Sequence, residues 1–137
     1  MNETSPRVLE TVAGPAALDE VHQCLDEFWS AHGEVPDIIR TQVSIAAAEV
    51  AANIIEHAGK GRPVEIRMEM RLHHGEVEIN FHDTGIPAEI DLASHHMPSD
   101  TAERGRGLAL AQAVLASLAY RFDDTGNTWT LISERFI

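Results

Sequence analysis

Hydrophobic positions recur along this chain with two different periods, and the switches between them order it into helix and strand segments. Arg7 to Ala13 reads as an edge strand that ends at Gly14-Pro15. Leu18, Val21, Leu25 and Phe28 then recur at helical spacing up to His32-Gly33, which predicts a first helix. Pro36 is placed to begin a second helix, whose apolar stripe is Ile39, Val43, Ala46, Val50 and Ile54 and whose stop is Gly59-Lys60-Gly61-Arg62-Pro63. From Val64 the period becomes two. Val64, Ile66, Met68, Met70 and Leu72 alternate with Glu65, Arg67, Glu69, Arg71 and His73, the pattern of a strand with one wet face. His74-Gly75 signals a tight hairpin, after which Val77, Ile79 and Phe81 alternate with Glu78, Asn80 and His82. Residues 86–104 lack periodicity and contain Pro87 and Pro98, so they read as a long connection of the kind that forms lids. Gly105-Arg106-Gly107 then opens a helix bearing Leu108, Leu110, Ala111, Val114, Leu115 and Leu118. Tyr120-Arg121-Phe122-Asp123 and Thr128-Trp129-Thr130-Leu131-Ile132, joined by Asp124-Thr125-Gly126-Asn127, make a closing hairpin.

This order predicts one domain over residues 1–137, a two-layer α/β sandwich in which a mixed, mostly antiparallel sheet carries helices on one face. At 137 residues and 44% hydrophobic, the chain can bury an ordinary core. The formal charge of −12 opposes binding to nucleic acid phosphates and is compatible both with a basic protein partner and with simple solubility. No run approaches the roughly 18 apolar residues of a membrane span. The start Met-Asn-Glu-Thr-Ser-Pro-Arg lacks a secretory pattern, so the expectation is a cytoplasmic protein without membrane contact. Cys24 is the single cysteine and falls on an apolar helical stripe, which predicts a buried thiol. His73-His74 and His95-His96 read as turn residues, because adjacent side chains diverge too far to share a zinc ion.

Three features stand out against these patterns. Glu49, Asn53 and His57 lie four residues apart on the second helix, beside the stripe Ile45, Ala46, Val50 and Ile54. An amide oxygen one turn from a carboxylate suits a Mg2+ site with a nearby base; capping or salt-bridged residues on a helix fit equally. Asp83 continues the apolar phase of its strand and precedes Thr84-Gly85, so it either contacts a ligand or caps the next turn. Gly105-Arg106-Gly107 places flexible backbone at a helix start, with arginines at 104 and 106; it is either an anion site or a plain loop-to-helix joint.

Taken in order, Glu49-x3-Asn53-x3-His57, Asp83-Thr84-Gly85 and Arg104-Gly105-Arg106-Gly107-Leu108 resemble the motifs of the GHKL (histidine-kinase-like) ATPase superfamily. Within it, the chain resembles the small anti-sigma-factor serine/threonine kinases of bacterial partner-switching systems, over about residues 7–135. The resemblance implies a Bergerat-type ATP-binding fold with a lid at about residues 86–107. It implies Glu49 as general base and Asn53 as the Mg2+ ligand beside ATP, with His57 on the same helix. It also implies Asp83 and Gly85 at the adenine, and Arg104, Gly105, Arg106, Gly107 and Leu108 at the phosphates. The implied partners are a STAS-domain anti-anti-sigma protein, which is phosphorylated, and a sigma factor, which is sequestered; a homodimer is implied in the same way. Two departures mark this chain. Pro87 stands where the family often has a second glycine, and Gly126 is followed by Asn127, which leaves Thr128 one place late for the hydroxyl near the adenine. A non-catalytic module that uses nucleotide to shape its binding surface is the rival expectation.

Overall fold

The computed structural model describes residues 6–58, 63–87 and 102–137. Its elements are β1 (Arg7–Val12), α1 (Pro15–Ala31), α2 (Asp37–Ala58), β2 (Glu65–His73), β3 (Glu76–Asp83), α3 (Ala102–Val114), β4 (Ser117–Asp123) and β5 (Gly126–Ile132). The strands form one sheet in the order β1-β2-β3-β5-β4. Each neighbouring pair is antiparallel, so the mixed sheet expected from the sequence is corrected in one respect. The chain does cross over from β3 through α3 to β4, a connection that joins strands of the same direction. β5 folds back between them, however, and no parallel pair is formed among the described residues.

Alternation decides which side of the sheet is covered. Ile66, Met68 and Met70 of β2, Val77, Ile79 and Phe81 of β3, and Trp129 and Leu131 of β5 share one core with Val21, Leu25 and Phe28 of α1, Val43, Val50 and Ile54 of α2, and Leu108 and Ala111 of α3. The opposite face is mostly polar, with Val8 and Val12 exposed on β1, and its polar groups pair with one another, as in Arg67 with Glu10 and Glu69, His73 with Glu78, and Thr130 with Asn80. It can therefore remain in water at little cost.

The helices are tied as well as packed. Trp29 of α1 donates its indole N–H to the Ser44 hydroxyl of α2 at 3.0 Å, and His32 stacks on Phe28 with ring centroids 4.3 Å apart. α2 is long and apolar enough by composition to cross a bilayer; here that apolarity serves the core, where Ala46, Ala47, Val50 and Ala51 are almost fully buried. Ile45, expected within the apolar stripe, instead lies at the rim with 36% of its surface exposed. Cys24 is buried, and desolvation pushes its thiol pKa up, partly offset by the charge of Arg7.

Both hairpins have two-residue turns. His74 and Gly75 have positive φ values of 54° and 76°, the geometry that matches the right-handed twist of β2 and β3. At the second turn Gly126 has φ 127°, and a Cβ there would stand 2.1 Å from the carbonyl oxygen of Asp83. Only glycine lets β5 approach the end of β3 so closely.

Candidate functional site

The predicted site residues gather in two places. The first is the end of β3. Asp83 keeps the phase of Val77, Ile79 and Phe81 and is therefore driven to the covered face, where it is 4% exposed. A buried carboxylate needs donors, and two are present: the backbone N–H of Gly85 at 2.8 Å and the side-chain amide of Asn127 at 2.9 Å, both to Oδ1. The turn-capping and ligand-contact alternatives for Asp83 are therefore compatible, because one oxygen holds the turn. Thr84 pairs its backbone with Glu65 in the next strand, and its hydroxyl accepts the Glu65 N–H. Gly85 sits against the carboxylate, since a Cβ there would lie 3.0 Å from Asp83 Oδ1.

Thr128 requires a correction. Asp83 faces Asn127 across the β3–β5 pair, and Thr128 faces His82. Because side chains alternate, Thr128 belongs to the open face of the sheet and Asn127 to the face of Asp83. The polar group beside Asp83 is therefore the Asn127 carboxamide. The missed residue was detectable, since Asn127 shares the phase of Trp129 and Leu131 and is buried like them at 3% exposure.

The second place is the contact of α2 with α3. Asn53 is 3% exposed, and among the described residues its Oδ1 has no hydrogen-bond partner. An orphaned buried acceptor is costly, at about 1–3 kcal/mol, and a hard cation is the kind of ligand that would satisfy it. Glu49, one turn earlier, is half-buried against α3, where a Cβ on Gly107 would stand 2.1 Å from its Oε1 and 3.0 Å from its Cδ. Gly107 thus makes room for the carboxylate.

α3 also corrects an expectation. It begins at Ala102, so Gly105 and Gly107 are its fourth and sixth residues and do not precede it. The free amides of a helix are those of its first four residues, and Gly107, the sixth, lies beyond them. Arg106 is exposed and Leu108 is in the core. Leu118 lies in β4, as the helix ends at Val114. The side chains of His57 and Arg104 and the surroundings of Gly105 lie outside the described residues, as do residues 88–101 of the expected lid. A surface groove of about 480 Å³ among Glu10, Val12, Glu65, Arg67, His82 and Thr84 contains none of the predicted site residues.

Gly107→Ala separates packing from chemistry. Alanine inside a helix gains about 0.5–1 kcal/mol over glycine, and the opposing atoms are the mobile end of a side chain. The thermal midpoint should hold or rise by about 2–4 °C while the Glu49 carboxylate is displaced. A clear fall in the midpoint on thermal denaturation would show that Glu49 cannot move aside.

The comparisons with known proteins bear on the family and the fold. A family model described as a histidine kinase-like ATPase domain matches residues 11–133. Among solved structures, the chain is similar to the histidine kinase domain from the Erythrobacter litoralis EL346 blue-light activated histidine kinase, with a TM-score of 0.58 and 16% identity. That match covers 88% of this chain and 65% of the other, and at this identity the likeness is one of fold. No curated protein matches in sequence.

Proposed function

Because the chain belongs to the histidine kinase-like ATPase family, we propose that it is an ATP-dependent protein serine/threonine kinase and anti-sigma factor of the cytoplasm. It phosphorylates a STAS-type anti-anti-sigma partner and sequesters a sigma factor. The observation that carries this assignment is the pairing on α2 of a half-buried Glu49 carboxylate with the unpartnered, buried Oδ1 of Asn53 one turn away. A module that only bound nucleotide would have no use for a base at that position.

The residues divide the work. Asn53 Oδ1 would hold Mg2+, which when bound would supply positive charge for the phosphate oxygens. Glu49 accepts the proton of the attacking hydroxyl, and Asp83 offers a carboxylate oxygen to the base at the far end of the nucleotide. The closeness of Glu49 to Gly107 favours a second reading, a nucleotide-responsive binder, because α3 partly covers the base in this conformation.

Incubation with γ-labelled ATP and STAS-domain proteins separates the two. The kinase assignment expects label on the partner as an acid-stable serine or threonine phosphate. Acid-labile label would move the acceptor to histidine, and bound nucleotide without any transfer would leave the binder.

A further inference from the structure

Asn127 is held from both sides. Its Nδ2 faces three oxygens: Asp83 Oδ1 at 2.9 Å, the Ile86 carbonyl at 3.0 Å and the Gly85 carbonyl at 3.1 Å. Its Oδ1 accepts the hydroxyl proton of Tyr120. Reversing the carboxamide would turn an oxygen toward three acceptors, so the network admits a single orientation. Tyr120 is fixed in turn on the ring of Trp129, with centroids 4.5 Å apart, and Trp129 is 1% exposed. A chain of contacts thus runs from the core, through Tyr120 and Asn127, to Asp83 and the backbone that leaves β3.

The consequence lies in what is left over on Asp83. Two donors, the Gly85 N–H and the Asn127 amide, occupy Oδ1, and among the described residues no hydrogen bond reaches Oδ2. We propose that Tyr120 and Asn127 are positioning residues for base recognition: they aim the free oxygen of Asp83 at the exocyclic amino group of a 6-aminopurine and fix the backbone at Gly85 and Ile86 that borders it. This inference rests on the assignment of Asp83 to the nucleotide base. The same amide bridges β5 to Gly85 and Ile86, so the base site and the start of the segment after β3 are held as one unit.

The test compares two nucleotides by calorimetry in the presence of Mg2+: ATP, and purine riboside triphosphate, which lacks only the 6-amino group. The parent protein should prefer ATP by about 10-fold or more, since losing the donor leaves a buried acceptor unmet. Tyr120→Phe keeps the ring on Trp129 and removes one hydroxyl. It should weaken ATP by about 3- to 10-fold and the analogue by less than about 2-fold, thereby narrowing the preference. Asn127→Thr, which can reach Asp83 but cannot also hold two carbonyls, should narrow it further. A merely structural role would weaken both nucleotides alike and leave their ratio unchanged, and that result overturns the proposal. If Asn127→Thr does not fold, Tyr120→Phe decides alone. A parent protein that does not distinguish the two nucleotides overturns the assignment of Asp83 and this inference with it. A parent that distinguishes them while both variants keep its ratio overturns only the positioning role.

Discussion

Glu49→Gln is expected to leave Mg·ATP affinity within about 2-fold of the parent while phosphoryl transfer to a STAS-type partner falls by about 100-fold or more. Glutamine keeps the size of the side chain, and loses the negative charge and with it the capacity to take up a proton. The half-buried position of Glu49 on α2 makes the substitution conservative for folding, so a loss of transfer would report on chemistry. Single-turnover kinetics with pre-bound nucleotide provide the check. An unchanged rate removes the base assignment, and a parallel loss of binding and transfer shows that Glu49 acts instead through the arrangement of α2 and α3.

Asn53→Ala should have the opposite profile, with a loss of Mg·ATP affinity of about 10- to 100-fold and no loss of stability. The sign of the stability effect follows from the orphaned oxygen. Asn53 Oδ1 is buried without a partner among the described residues, so its removal relieves a desolvation cost and breaks no hydrogen bond seen to that atom. Small cavity costs oppose this gain, and the thermal midpoint should stay the same or rise slightly. Titration with Mg·ATP alongside thermal unfolding tests both parts. Undiminished affinity would take Asn53 out of the metal site, whereas a marked loss of stability would mean that the amide has a structural partner in the folded chain.

The two variants probe the α2 half of the site, and Tyr120→Phe probes the half at the end of β3. If the nucleotide spans both, the Asn53 and Tyr120 effects on ATP affinity should add, because the two residues share no partner in the described contacts.

Much of this architecture was legible in the chain because its local periods are strong. The alternation from Val64 to Phe81 determined two strands, their hairpin at His74-Gly75 and the face that each presents to the core. That same alternation carries Asp83 inward once the strand is seen to hold its geometry to that residue. The four-residue spacing of Glu49 and Asn53 likewise depends only on helix geometry. Other features depend on which elements meet. Glycine reads locally as a helix breaker, yet α3 runs through Gly105 and Gly107, with Leu108 and Ala111 buried along it and the absence of a Cβ at Gly107 admitting Glu49. The antiparallel character of every pairing came from the insertion of β5 between β3 and β4, a choice of strand order that no local pattern encodes. Asn127 gained its place beside Asp83 from the register of β3 against β5. A one-residue slip would have presented Thr128 instead, and register is a property of the paired strands, set here by the turn at Gly126 and by the burial of Trp129 and Leu131.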